Sequence, residues 1–201
     1  MELAMFPLGT VLVPHQSLPL QVFEPRYRAL VERCLATDRR FGVVLIERGS
    51  EVGGGDVRFD TGTVAHITDC AETPDGRYGL VAVGAERLRV QEWLTDDPYP
   101  RAEVELIEDP PLSPNGSSHR DDVVAGFDRI IGLARALGAT IPDNLRLDSD
   151  PVRAGWEATT LAPIGPLDVL AILREDDPHA RLDRVVLALA DAAELLESQL
   201  R

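Results

Sequence analysis

Residues 6–27 read FPLGTVLVPHQSLPLQVFEPRY, and this segment decides how the first half of the chain is expected to fold. Prolines at positions 7, 14 and 19 divide it into short apolar runs, because proline lacks the N–H that helices and central strands need. The segment ends in FEPRY, where Pro25 suits the first turn of a helix, since its missing N–H would have no partner there. The pattern therefore predicts short strands followed by a helix.

The residues after Pro25 show a helical period. Apolar side chains recur at intervals of three and four residues, which predicts a single buried face. These side chains are Tyr27, Leu30, Val31, Cys34 and Leu35.

Strands are expected in the rest of the first half. The candidates are Glu2–Phe6, Leu18–Phe23, Phe41–Glu47, Thr61–Thr68, Tyr78–Val83, Leu88–Trp93 and Ala102–Ile107. Gly84 interrupts two of them and indicates a bulge or a tight bend. Ala102–Ile107 alternates apolar and acidic residues, as an edge strand does.

The second half has a different periodicity. Residues 109–119 contain the Pro-, Gly- and Ser-rich run DPPLSPNGSS and predict a linker. Helices are then expected at Val123–Leu137, from Asp150-Pro151 to about Leu161, at Leu167–Arg174 and from Asp177-Pro178 onward. Gly138 is suited to end the first of these. The last helix places one apolar face at Leu182, Val185, Val186, Leu189, Ala193, Leu196 and Leu200.

The expected organisation is a β-rich domain at residues 1–108, a linker at 109–119 and a helical subdomain at 120–201. This is an α+β protein whose strands and later helices are segregated along the chain.

Charge and composition exclude several function classes. The net charge of −14 argues against a nucleic-acid partner, which normally requires a basic face. All 20 cationic residues are arginine. Because the 201 residues contain no lysine, they cannot supply a Walker A loop, a Schiff base or a Ser–Lys dyad.

No cofactor or metal site is expected. Cys34 and Cys70 form no CxxC pair, and the four histidines show no ligand spacing. No positively charged leader precedes Arg26, and no apolar run approaches the ~20 residues of a membrane span. The sequence therefore predicts a cytoplasmic protein with no membrane partner.

Three pieces of sequence together carry a family resemblance. The opening segment, GTVAHI at residues 62–67 and VGAERLRV at residues 83–90 occur in this order. They resemble the N-terminal substrate-binding domain of the Lon protease family, peptidase family S16. The chain looks like a stand-alone bacterial version without the ATPase and protease domains. The resemblance implies a β-rich pseudo-barrel with one packed helix, followed by a helical bundle. In full-length Lon this unit recognises unfolded or tagged proteins.

Most of the shared motif is interpreted as structural. Phe23 and Tyr27 are expected to anchor the core, and Glu24 to lie at the favourable N-terminus of the helix. The alternative for FEPRY is direct contact with a peptide. The residues assigned a structural role are Phe23, Glu24, Pro25, Arg26, Gly62, Gly84 and Arg87.

The loop from Gly9 to Ser17 is the main binding candidate. Its apolar residues lie between Gly9 and Pro14, so they could form an exposed patch for an unfolded segment. The preferred alternative is that they form a short core strand. The candidate peptide-binding residues are Val11, Leu12, Val13, His15 and Tyr27.

The favoured function is a non-catalytic module that binds unfolded or apolar peptide segments, in proteolysis or quality control. The alternative is a regulatory or structural subunit that docks on a Lon-type protease or another complex through a folded surface. An enzyme would need a cleft with convergent polar groups, and no sequence constellation indicates one. The sequence does not determine the oligomeric state.

Overall fold

The computed structural model describes residues 1–51, 55–112 and 116–200, and it divides into two compact units, Met1–Glu108 and Asp109–Arg201. The described elements of the first unit are β1 Glu2–Leu8, β2 Ser17–Val22, α1 Pro25–Ala36, β3 Arg40–Arg48, β4 Val57–Glu72, β5 Tyr78–Trp93 and β6 Arg101–Ile107. Those of the second unit are α2 Gly116–Ala136, α3 Pro151–Leu161, α4 Pro166–Arg174 and α5 Pro178–Gln199. The protein is α+β.

The six strands form one mixed sheet that closes on itself. Their order is β2-β5-β4-β3-β1-β6, and β6 pairs back to β5. Strands β1 and β3 are parallel, and the other pairs are antiparallel. Five strands (β1, β3, β4, β5 and β6) therefore make a closed ring, hereafter the ring. Strand β2 lies outside it, paired with the first part of β5.

The prediction that Ala102–Ile107 is an edge strand is wrong. Strand β6 pairs with β1 on one side and with β5 on the other. The alternation of apolar and acidic residues indicates that one face of the strand is exposed. It does not indicate whether the two edges of the strand are paired with other strands.

The bulge predicted at Gly84 is confirmed. Ala65 of β4 faces Gly84, whereas Thr63 faces Arg87, so β5 has one more residue than β4 in this interval. The two strands expected around Gly84 are one continuous strand of 16 residues. Its first part pairs with β2 and its second part with β6, which is how the sheet closes.

Two apolar clusters stabilise the first unit. One draws on all five ring strands and consists of Leu3, Met5, Val44, Val64, Leu88, Ala102 and Val104. The other contains the predicted face of α1, whose Tyr27, Leu30, Val31 and Cys34 are buried as expected. Tyr27 stacks on Phe6 with ring centroids 4.0 Å apart.

In the second unit, local signals set most of the helix boundaries. The carboxylates of Asp150 and Asp177 accept hydrogen bonds from the backbone of the first turns of α3 and α5, and a proline follows each aspartate. Gly138 adopts a positive φ of 94° just after α2, as predicted. Helix α5 packs against α2, α3 and α4.

Helix α2 begins earlier than expected. Residues 116–119 are helical rather than part of an irregular linker, and residues 113–115 lie outside the described residues. Glycine and serine are common at helix N-termini, so a Gly/Ser-rich run does not by itself mark the end of regular structure.

A buried arginine is central to the packing of the second unit. The guanidinium of Arg181 donates two hydrogen bonds of 3.0 Å to the carboxylate of Asp109 and lies 4.9 Å from the ring centroid of Trp156. It also donates to the carbonyl of Glu175. A buried charge needs such partners to offset the loss of water.

Candidate functional site

The loop from Gly9 to Ser17 does not form the exposed apolar patch. Val11, Leu12 and Val13 are buried, and Leu12 is only 1% exposed. The preferred alternative, burial in the core, is what the structure shows, although these residues are not in a regular strand. His15 is exposed and has a positive φ of 66°.

Long-range backbone contacts explain this burial. The hydroxyl of Thr63 on β4 donates a 2.6 Å hydrogen bond to the carbonyl of Leu12. On β5, the carbonyl of Gly84 accepts from the N–H of His15 at 2.8 Å, and the N–H of Gly84 donates to the carbonyl of Gln16 at 2.9 Å. The loop thus pairs with the bulge in β5.

Two motif glycines are required by close backbone approaches. A Cβ on Gly62 would lie 2.0 Å from the carbonyl oxygen of Val43, and a Cβ on Gly84 would lie 2.2 Å from that of Val13. Arg87, from the same motif, is buried within β5. These positions are structural.

Phe23 does not anchor the core, contrary to the sequence prediction. Val22 is buried, and the alternation of the strand turns the next side chain outward, so Phe23 is 54% exposed. Tyr27 is the buried aromatic residue of the motif, and burial raises its pKa to about 12. Tyr27 therefore stays neutral at physiological pH.

A small pocket lies beside Phe23, between β1, β2 and the start of α1. Its volume is about 80 Å³. It is lined by Phe6, Leu8, Leu20, Gln21, Val22, Phe23, Glu24, Tyr27 and Glu51, and these residues are called the Phe23 cleft. Of the five candidate peptide-binding residues, Tyr27 lines this cleft.

The rim of the Phe23 cleft is tied together by Arg26. Its Nε donates to Glu24 at 3.2 Å, its Nη2 donates to the carbonyl of Glu51 at 3.1 Å, and its guanidinium lies 4.4 Å from the ring centroid of Tyr27. The carboxylate of Glu51 accepts from the N–H of Gly9. Glu24 occupies the N-cap position of α1, but its carboxylate makes no cap hydrogen bond. Because the carboxylates of Glu24 and Glu51 both have partners within the protein, the apolar side chains dominate the surface that the cleft offers to a ligand.

Strand β2 borders a second depression. This groove of about 230 Å³ is lined by Pro19, Leu20, Gln21, Asp69, Gly79, Leu80 and Val81. Leu20 and Gln21 line both hollows. Among the described strands, β2 pairs with β5 alone, and Pro19 has no N–H to offer to a further strand.

An ionic cluster that the sequence did not reveal lies at β4. The guanidinium of Arg58 contacts Asp56 at 2.5 Å and Asp96 at 2.7 Å, and it lies 4.8 Å from the ring centroid of Trp93. Burial alone would raise the pKa of Asp56, but the hydrogen bond from Arg58, a backbone hydrogen bond and the charges of Arg58 and Arg26 together outweigh it and hold that pKa below its usual value. The separation of these residues in sequence concealed the cluster.

Metal binding, membrane insertion and thiol chemistry each have little support among the residues that the structure describes. Within residues 1–51, 55–112 and 116–200, no three or more His, Cys, Asp or Glu side chains are grouped so as to hold a metal ion. In the same ranges, no helix is both long and apolar enough to cross a membrane. Burial raises the pKa of Cys34 to about 12, which makes this thiol a poor nucleophile.

Comparisons with known proteins agree with this fold. The family model for the ATP-dependent protease La (LON) substrate-binding domain matches residues 2–191. Lon protease 2 of Herpetosiphon aurantiacus is 29% identical over 98% of this chain, which covers 24% of that relative. The chain thus spans about a quarter of this relative's length, and the matched family model is that of the substrate-binding domain rather than the ATPase or protease domain.

Solved structures give the same picture. The Lon N-terminal domain protein from Xanthomonas campestris has a TM-score of 0.67 and 29% identity, covering 93% of this chain and 98% of that one. The N-terminal domain of Mycobacterium avium complex Lon protease has a TM-score of 0.70 at 14% identity, with coverage of 95% and 99%, and shows the shared fold alone. By sequence and by fold, this chain belongs to the family of LON substrate-binding domains.

Proposed function

We propose that this chain is a non-catalytic module that binds unfolded or apolar peptide segments, and that the Phe23 cleft contacts them. The observation that carries the proposal is the exposure of Phe23 beside an apolar pocket. Burying a phenylalanine side chain is worth about 1.5–3 kcal/mol, so an exposed one at a pocket is a ready anchor for a ligand.

The geometry of β2 favours an extended ligand. This strand has one partner among the described strands, and its residues line a hollow on each side. Pro19 offers no N–H to this edge, so an extended segment would add through the remaining backbone groups of the strand, while alternate side chains enter the hollows. Backbone recognition with apolar pockets suits many unfolded sequences.

The family supports a proposal for the cellular role. Relatives named Lon proteases carry this domain within a longer chain, and we propose a role for this chain in substrate recognition for proteolysis or quality control. The lysine-free composition supports a non-enzymatic module, and the net charge of −14 supports a protein rather than a nucleic-acid partner. The free thiols of Cys34 and Cys70 support a cytoplasmic location. In this proposal, residues 120–201 form a helical bundle that serves as a separate subdomain.

Binding of two labelled peptides, measured by fluorescence anisotropy, tests the proposal. One peptide is rich in Leu, Phe and Val, and the other is rich in Ser, Asn and Gly. We expect a clear preference for the apolar peptide, weakened about ten-fold or more by Phe23→Ser, because loss of a central aromatic anchor costs at least about 1–2 kcal/mol. Leu137→Ser is the matched control, since Leu137 on the second unit is 38% exposed.

The peptide-binding function and the Phe23 cleft as its site can be disproved separately. Equal binding of the apolar and polar peptides by the unmodified protein would overturn the function. A preserved preference in Phe23→Ser, with unchanged affinity, would leave the function and remove the Phe23 cleft as the site.

A second candidate function is docking on a Lon-type protease or another complex. Exposed leucines on α5 favour it. Size-exclusion chromatography with a candidate partner tests it. Docking predicts that substitutions on α5 abolish the complex, whereas substitutions in the loop from Gly9 to Ser17 that preserve folding do not.

A further inference from the structure

Helices α4 and α5 leave an open apolar groove on the second unit. Its volume is about 450 Å³. Ile164, Ile172 and Ala188 line it, together with Leu187 and Leu195, which are 64% and 59% exposed. It is called the α4–α5 groove. Two large apolar side chains this exposed on one helix suit a contact surface.

The exposed leucines belong to a regular stripe on α5. Leu187, Asp191 and Leu195 follow one another at four-residue intervals, so they lie on one face of the helix over about 12 Å. The stripe therefore reads apolar, acidic, apolar. Such a spacing matches the i, i+4 periodicity of a second helix laid along it.

The acidic member of the stripe has no counter-ion in the described part of the chain. No ion pair or hydrogen bond there engages the carboxylate of Asp191. Arg184, the one cation that lines the groove, is held by Glu175 at 2.9 Å. Asp168 on the opposite wall lies in the first turn of α4, where the helix dipole already favours a carboxylate.

We propose that the α4–α5 groove binds an amphipathic basic helix of a partner protein. Two apolar side chains of that helix pack against Leu187 and Leu195, and an Arg or Lys between them pairs with Asp191. Charge complementarity selects this occupant, because both unneutralised groups in the groove are carboxylates and the chain carries a net charge of −14.

A second copy of this chain fits the groove less well. A two-fold dimer brings the same patch of both copies together. The carboxylates of Asp168 and Asp191 would then face those of the other copy across an apolar contact, and like charges in such a contact are unfavourable. The occupant is therefore a different chain with a basic stripe.

This inference is independent of peptide binding by the first unit. The Phe23 cleft lies wholly within Met1–Glu108, and the α4–α5 groove lies wholly within Asp109–Arg201. Phe23→Ser should leave binding to the groove unchanged, and substitutions in the groove should leave binding of the apolar peptide unchanged.

The test uses a labelled helical peptide of about five turns, built from Ala, Leu and Lys, with Leu, Lys and Leu at four-residue intervals on one face. A scrambled peptide of the same composition and a version with Glu in place of Lys are the controls. By fluorescence anisotropy, we expect the Lys helix to bind at least about ten-fold more tightly than either control, and more weakly in high salt.

Charge reversal provides the decisive comparison. Asp191→Lys should weaken binding of the Lys helix about ten-fold or more and strengthen binding of the Glu helix. Asp128→Lys makes the same charge change at an exposed position of α2 outside the groove, and it should alter affinity less than about two-fold. The double variant Leu187→Ala and Leu195→Ala should also lose about ten-fold, and circular dichroism should show native helix content in all variants.

Three results would overturn the proposal. Equal weakening by Asp128→Lys and Asp191→Lys would mean general charge attraction, and equal binding of the scrambled peptide would remove the requirement for a helix. Sedimentation showing that the unmodified protein self-associates, with loss of association in Leu187→Ala, would assign the groove to a second copy.

Discussion

Leu12 and Leu187 are the same side chain in opposite surroundings. Leu12 lies in an irregular loop flanked by glycine and proline, yet it is 1% exposed. Leu187 lies in a regular helix with a well-defined buried face, yet it is 64% exposed. The local sequence left two possibilities for the loop, a short core strand, which was preferred, and an exposed patch. The difference shows that long-range pairing to Thr63 and Gly84 decides burial in the first unit.

The same comparison separates stability from recognition. In the first unit, the shared motif residues fix backbone approaches and close a ring. In the second unit, α5 has more apolar surface than its neighbouring helices cover. The motif residues Gly62, Gly84 and Arg87 are therefore structural, whereas the opening segment supplies both core residues and most of the Phe23 cleft.

The largest expected effect is that of a methyl group at Gly62. In Gly62→Ala, the new Cβ would lie 2.0 Å from the carbonyl oxygen of Val43, so backbone has to move. We expect a loss of about 3 kcal/mol or more in the free energy of unfolding, measured by urea denaturation. The control is Gly132→Ala in α2, where no heavy atom outside the neighbouring helix backbone lies within 4 Å of the new Cβ. Helix propensity should there add about 0.5–1 kcal/mol to the free energy of unfolding. Native stability in Gly62→Ala would refute the close approach.

Truncating the two leucines tests their contrast directly. Leu12→Ala should lower the free energy of unfolding by about 2–4 kcal/mol, because it leaves a cavity in the core. Leu187→Ala should change it by less than about 0.5 kcal/mol, because the side chain is already exposed. Thermal and urea unfolding measure both, and similar losses in the two variants would contradict the contrast.

A smaller effect is expected at the ionic cluster around Arg58. Asp56→Asn should cost about 1–2 kcal/mol at neutral pH, because it removes a charged hydrogen bond while Asp96 still pairs with Arg58. The folded pKa of Asp56 lies below its unfolded value. Its contribution is therefore fully present above about pH 5 and is lost as the pH falls through about 4 and below.

Urea unfolding of both proteins across this range provides the check. The difference in unfolding free energy between the unmodified protein and Asp56→Asn should shrink on acidification. A difference that stays constant down to the lowest accessible pH would show that the Asp56 carboxylate is not stabilised by folding.

Local features of the fold were predictable from the sequence. The buried face of α1 follows from the spacing of Tyr27, Leu30, Val31 and Cys34, all within one helix. The starts of α3 and α5 follow from an aspartate cap and an adjacent proline. Each of these signals depends on contacts within a few residues, which a single sequence displays.

Features that depend on distant partners were harder to predict. The sequence left two locations open for Leu12, and its burial is explained by the hydrogen bond that its carbonyl accepts from Thr63, 51 residues away. Strand β6 is not an edge strand, because β1 and β5 pair with its two sides. The exposure of Phe23 depends on where β2 ends relative to α1, a shift of one residue that reverses the side chain's direction. The Phe23 cleft could therefore not be predicted from the sequence, because its lining depends on which elements lie beside β2.

Closure of the ring also constrains synthesis of the protein. Leu3 of the first strand pairs with Ala102 of the last, so the ring is incomplete until the ribosome has released nearly all of the first unit. Until then, β1 and the second part of β5 each expose an unpaired edge. Assembly across so long a separation is slow compared with helix formation. A nascent member of this family would thus itself present the open strands and apolar surface that it is proposed to recognise in others.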